Sequence, residues 1–221
     1  MKKLLIFDLD GTLIDTLEDL KNSVNFALFL HNFPQRSKED IRKAIGNGVA
    51  KLVARSIPNN EQNPEYQTTL EDFRKYYSKN SCVYTKPYIG MKDALINLKL
   101  KGYILAVATN KITSVARPMI EGFFPGIFDF VQGDEPNMDR KPAPMMIESL
   151  CKRFNVDKKE AFYIGDTNVD METAINSGVD FVLVTYGYRT KEELKEQCPG
   201  QPTIDDINQL EDYLRKIEST N

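Results

Sequence analysis

Leu4-Leu-Ile-Phe-Asp-Leu-Asp-Gly-Thr12 is the stretch from which the fold of this chain is read. Four apolar residues, built to be buried, run straight into Asp8. Asp10 follows one residue later, and Gly11-Thr12 turn the chain. Two like charges about 4 Å apart repel by roughly 4 kcal/mol at an effective dielectric near 20. A strand that ends this way needs either a proton on one of the acids or a cation beside them.

Around this stretch the pattern alternates. β-like runs at 3–7, 103–108, 161–164 and 181–184, with a weaker one at 129–132, are separated by helical periodicity at 92–101, 112–123, 143–154 and 169–177. Such alternation predicts an α/β fold, a doubly wound parallel sheet with a Rossmann-like core. Gly102 and Gly178 fall where helices should stop. A last amphipathic helix is expected over 207–217, capped by Asp205 or Asp206. One region breaks the rhythm. Between 17 and 80 no strand is legible, and helical periodicity recurs at 17–30, 38–45, 49–57 and 65–79. The expectation is a small all-helical domain, residues 16–84, inserted into a core made of residues 1–15 and 85–221. Asp15-Thr16 and the loop from Tyr84 to Gly90 would be its hinges.

Composition narrows the chemistry. Of 221 residues 41% are hydrophobic, enough for a sizeable core. The net charge of −3 is spread along the chain without a basic block, which argues against nucleic acid as a partner. The opening apolar run is too short for a secretory signal, and no stretch has the length of a membrane span. A cytoplasmic protein with no membrane partner is expected. Cys82, Cys151 and Cys198 have no metal-binding spacing and are expected to be reduced. His31 is the only histidine. Mechanisms that need several histidines are therefore excluded, carboxylate chemistry is left, and His31 is expected at the surface or a helix end.

In an open parallel sheet, ligands bind beyond the carboxyl ends of the strands. Those ends carry Asp8 and Asp10, then Thr109-Asn-Lys111, then Gly165-Asp-Thr-Asn-Val-Asp170; Lys141 lies in the loop Arg140-Lys-Pro-Ala-Pro144. Singly, each reads more readily as an ordinary turn or helix cap. Together they gather four carboxylates, a hydroxyl, an amide and an ammonium. An all-oxygen acidic cluster suits a hard cation, with Mg²⁺ the first choice, and Mg²⁺ keeps room for phosphate oxygens. The set therefore points to Mg²⁺ and a phosphoryl group.

Asp8-Leu-Asp-Gly-Thr12, Thr109-Asn110, Lys141-Pro142 and Gly165-Asp166-x-x-x-Asp170 resemble, in this order, the four motifs of the haloacid dehalogenase superfamily of phosphotransferases. The helical insert is similar to that superfamily's small cap domain. Ile45-Gly-Asn-Gly48, Ala108-Thr-Asn-Lys111 and Thr185-Tyr-Gly-Tyr188 resemble phosphoglycolate phosphatases; Arg189-Thr190 departs from them, as does most of the insert outside 45–57. The resemblance implies a Mg²⁺-dependent phosphomonoester hydrolase acting on a small phosphorylated metabolite, with 2-phosphoglycolate first. It implies Asp8 as nucleophile, Asp10 as general acid and base, and metal ligation by Asp8, Asp166, the Asp10 carbonyl and, directly or through water, Asp170. Thr109, the Asn110 backbone N–H and Lys141 would hold the phosphoryl oxygens beside Gly11. The insert would be a lid in which Asn47 and Arg55 meet the leaving group. Phosphatases for pyrophosphate, nucleotides or sugar phosphates, and a sugar-phosphate mutase, remain alternatives. Outside enzymes, so do a receiver-like signalling domain and a non-catalytic phosphate-binding protein.

Overall fold

Leu4, Leu5, Ile6 and Phe7 are all completely buried and form β1 (Leu4–Phe7). The computed structural model describes residues 2–220. After β1 come β2 (Ile14–Asp15), four helices, α1 (Leu17–Leu30), α2 (Lys38–Ala44), α3 (Val49–Ser56) and α4 (Tyr66–Asn80), and β3 (Lys86–Pro87). The chain then runs through α5 (Met91–Leu100), β4 (Ile104–Ile112), α6 (Thr113–Phe123), β5 (Phe130–Asp134), α7 (Met145–Phe154), β6 (Ala161–Gly165), α8 (Asn168–Ser177), β7 (Asp180–Val184), α9 (Lys191–Gln197), β8 (Thr203–Ile204) and α10 (Leu210–Thr220). The chain divides into two units. One comprises residues up to Ile14 and from Pro87 onward; the other is Asp15–Lys86. The two crossings between them, β2 and β3, pair as a two-stranded ribbon.

The first unit is a parallel six-stranded sheet in the order β5-β4-β1-β6-β7-β8. Side chains alternate across it, as a period of two requires. Leu5, Phe7, Leu105, Val107, Phe162 and Ile164 face one core with Leu95 of α5, Ile120 of α6 and Leu214 of α10. Leu4, Ile6, Ala106, Ala108, Ala161 and Tyr163 face the other, with Leu150 of α7 and Ala174 of α8. Burial of each large apolar side chain contributes about 1.5–3 kcal/mol, so β1, apolar on both faces, belongs at the centre. The order of connection reverses around β1, which puts the residues following it at the switch point of the sheet.

Several expectations are corrected in detail. β4 runs on to Ile112 rather than stopping at Ala108, because its pairing with β5 jumps from Ala108 opposite Gln132 to Ile112 opposite Asp134. α7 starts at Met145, two residues later than periodicity suggests. The last helix opens as a 3₁₀ turn, Ile207–Gln209; of the two expected caps Asp206 serves, accepting from Asn208 N at 2.8 Å. α9 and β8 were not legible in the periodicity. β8 is only two residues long. α9 is short, but its capping box was readable in Thr190-Lys-Glu-Glu193: Glu193 N donates to Thr190 Oγ1 at 3.2 Å, and Thr190 N donates to Glu193 Oε2 at 2.9 Å.

The second unit is all helical. Its buried residues include Leu20, Val24, Leu28, Ile41, Leu52, Val53, Leu70, Phe73 and Tyr77. Asp19 at the start of α1 accepts from Tyr84 N, Thr85 N and Thr85 Oγ1, so a buried carboxylate ties the departing chain to the returning one. None of the described helices is long and apolar enough to cross a membrane.

Candidate active site

Asp8, the first residue beyond β1, donates its N–H to Ile164 O at 2.8 Å, which registers it against β6. Its carboxylate is 2.8 Å from Lys141 Nζ. The same ammonium donates to Asp170 Oδ1 and to the Tyr163 hydroxyl at 2.8 and 2.9 Å, and Tyr163 donates to Asp170 Oδ1 at 2.9 Å. Helix formation itself fixes Asp170. At the third position of α8, its Oδ2 accepts from Thr167 N at 3.0 Å, Thr167 Oγ1 at 2.7 Å and Asp166 N at 3.2 Å, satisfying backbone groups that the helix leaves open. An ionised carboxylate has about four lone-pair sites, and here five donors already share them.

Asp166, fully buried at the end of β6, accepts from Tyr188 N at 2.8 Å and from Thr12 Oγ1 at 3.2 Å. Glycines make room for it. A Cβ on Gly11, where φ is +89°, would lie 2.3 Å from Asp166 Oδ2; one on Gly187 would lie 2.4 Å from Asp166 Cβ. Only a residue without a side chain fits either position.

Oxygens of Asp8, Asp166 and Asp170 lie within 4.8 Å of one another, and all three residues are buried. Burial, with Asp170 and Asp10 alongside, pushes Asp8 up to about 7 against the opposing pull of Lys141. Burial pushes Asp166 well above the usual carboxylate range, and Asp170 and Asp8 add to this. Asp170 goes the other way. Burial opposes its charge, but Lys141, Thr167 and Tyr163 outweigh it and hold the carboxyl below its ordinary value. Burial likewise works against the Lys141 ammonium, yet Asp170 and Asp8 keep it firmly protonated. Three acids face the Lys141 ammonium here, and the buried Arg189 adds a second cation that acts on Asp166. This oxygen-only donor set with excess negative charge fits a divalent cation.

Among the expected site residues, the structure brings Asp8, Asp10, Gly11, Thr109, Asn110, Lys141, Asp166 and Asp170 to the carboxyl ends of β1 and β6, to β4 beyond Ala108, and to the loop before α7. Thr109 is buried, and its Oγ1 accepts from Lys111 N at 3.2 Å. The Asn110 side chain clamps the Lys141 backbone, donating to Lys141 O at 3.0 Å and accepting from Lys141 N at 2.8 Å. The Asp10 carboxylate is outside the three-acid cluster and pairs with Lys111. Asn47 and Arg55 belong to the helical unit and bind each other, with Arg55 donating to Asn47 Oδ1 and to Ala44 O, both at 2.7 Å. Sequence reasoning gave no role to Tyr163, Thr167, Tyr188 or Lys111. Tyr163 carried a signal: a tyrosine inside a buried strand needs a partner for its hydroxyl.

A family model described as haloacid dehalogenase-like hydrolase matches residues 5–184. A curated phosphoglycolate phosphatase of Haemophilus influenzae is 35% identical over 216 residues, covering 94% of this chain and 96% of that protein. One from Pasteurella multocida is 34% identical over 219 residues, with the same coverage. The crystal structure of a candidate phosphoglycolate phosphatase from Lactobacillus delbrueckii subsp. bulgaricus superposes with a TM-score of 0.91 at 33% identity, covering 96% of this chain and 98% of that one. The family and the curated relatives together define a phosphatase. The chain belongs to the haloacid dehalogenase-like hydrolase family.

Proposed function

We propose that this phosphatase hydrolyses 2-phosphoglycolate in the cytoplasm with Mg²⁺ as its cation. The observation that carries the substrate is the similarity, across nearly the whole chain, to curated phosphoglycolate phosphatases. Three cysteines without a disulfide support a reducing compartment.

In this reading Asp8 attacks phosphorus, the bond from phosphorus to the ester oxygen breaks, and an aspartyl-phosphate forms. Asp10 gives its proton to the departing oxygen. It then takes one from the water that displaces phosphate and restores Asp8. Lys141, held between Asp8 and Asp170, faces the phosphoryl oxygens with Thr109 and the Asn110 N–H. Asp8, Asp166 and the Asp10 carbonyl would hold Mg²⁺, and Asp170, whose oxygens are occupied, would reach it through water. Mg²⁺ supplies positive charge that favours the ionised Asp8 and offsets charge on the phosphoryl group. The helical unit would act as a lid over the leaving group, with Asn47 presented by Arg55.

The test is phosphate release from a panel of 2-phosphoglycolate, pyrophosphate, nucleotides and sugar phosphates, with and without Mg²⁺. Expected are the highest kcat/KM for 2-phosphoglycolate, dependence on Mg²⁺, and loss of at least about a thousandfold in Asp8→Asn. Wild-type turnover by Asp8→Asn would sink the mechanism. A clear preference for another ester would sink the substrate, and isomer formation without phosphate release would mark a mutase.

A further inference from the structure

Lys111 takes no part in the proposed reaction steps, yet it is a buried cation at the edge of the site. Its residue is 7% exposed, and its Nζ lies 2.7 and 2.9 Å from the two carboxylate oxygens of Asp10. Local structure aims it there. Between Ala108 and Ile112, β4 advances four residues while β5 advances only from Gln132 to Asp134. Extra residues in one strand bend it and redirect its side chains. The neighbouring strand packs tightly against the result: a Cβ on Gly133 would stand 2.6 Å from Lys111 O and 2.7 Å from Thr113 N. The Lys111 backbone is thus held from β5, and its N–H is held by Thr109 Oγ1 at 3.2 Å.

We propose that Lys111 is the positioning residue for Asp10, holding its carboxylate where it exchanges a proton with the leaving oxygen. The reason is electrostatic and geometric. Asp10 stands two residues from Asp8, and repulsion between the two carboxylates favours an Asp10 side chain turned outward to water. The Lys111 ammonium opposes that repulsion. By contacting both oxygens it also fixes the plane of the carboxyl group, while lone pairs that Lys111 does not use remain to carry the proton given to the leaving oxygen and later taken from water. Lys141, which also holds Asp170, has the corresponding place beside Asp8, so the two reacting acids are paired with different lysines from different segments. A proton donor displaced by about 1 Å loses on the order of a hundredfold in rate. This inference rests on Asp10 being the acid and base of the proposed reaction.

The experiment compares wild type, Asp10→Asn, Lys111→Met and Lys111→Arg on phosphate monoesters of graded leaving-group acidity, from alkyl esters to 2,4-dinitrophenyl phosphate, at saturating Mg²⁺. Esters of acidic phenols leave without a proton; alkyl esters do not. In Lys111→Met, kcat/KM is expected to fall tenfold to a hundredfold on alkyl esters. On dinitrophenyl phosphate it should fall less than about threefold, giving a steeper dependence on leaving-group pKa. Lys111→Arg should restore most of the loss. An equal fall on every ester, or no fall, with Asp10→Asn showing the steep dependence, overturns the role of Lys111 alone. If Asp10→Asn shows no leaving-group dependence, the acid–base reading fails and takes this proposal with it.

Discussion

The Tyr163 hydroxyl lies 2.9 Å from both Lys141 Nζ and Asp170 Oδ1 and is buried with them. Burial together with Asp170 and Asp8 keeps this phenol neutral far above its ordinary pKa, so it acts as a fixed donor. Tyr163→Phe preserves the packing and removes only that donor. The expected cost is about 1–2 kcal/mol of stability by urea denaturation. About a tenfold fall in kcat/KM is also expected, because Lys141 loses a restraint. If the variant matches wild type in both measurements, the hydroxyl is not what holds Lys141. Asn110 restrains the same lysine from its backbone side through two hydrogen bonds. Its sequence position beside Thr109 gave no hint that its amide would reach 31 residues along the chain.

At the scale of elements, much of the site is a by-product of ordinary helix and strand physics. Asp170 completes the capping box of α8 and in the same position holds Lys141. In the helical unit, His31 closes α1 with Nδ1 2.8 Å from Glu65 and Nε2 3.0 Å from Asp72 of α4. The helix-end expectation holds, but its link to α4 was invisible in sequence because the partners lie 34 and 41 residues away. Burial is the largest single influence and works against the imidazolium; Glu65 and Asp72 together outweigh it and raise its pKa. A raised histidine stabilises fully below its ordinary value of about 6.5 and loses that contribution as pH rises through the raised value. His31→Gln should therefore cost about 0.3–1 kcal/mol near pH 6 and much less near pH 9. Thermal melts of both proteins across that range check it; a pH-independent difference would contradict it.

At the scale of the whole molecule, the two crossings of the chain lie side by side as β2 and β3. Residues 16–85 can therefore be replaced by a short Gly-Ser linker while the sheet is kept. The expected product retains far-UV circular dichroism of an α/β protein and unfolds cooperatively. It should still hydrolyse p-nitrophenyl phosphate but lose its preference for 2-phosphoglycolate over other esters. A core that keeps the preference would move specificity out of the helical unit.

The sequence by itself determined the alternation of strand and helix, the helical insertion, the three polar strand ends and the Lys141 loop, because hydrophobic period and residue chemistry are local properties. With a single histidine and several strand-end acids, it also pointed to carboxylates rather than histidines as the groups that gather at the site. Tertiary structure alone decided which charges pair. Lys141 between Asp8 and Asp170, Lys111 on Asp10, Tyr163 under both Lys141 and Asp170, and Arg55 on Asn47 are contacts between residues 7 to 133 positions apart. Sheet order and the register shift of β4 create most of them, and neither is a property of any short stretch of chain.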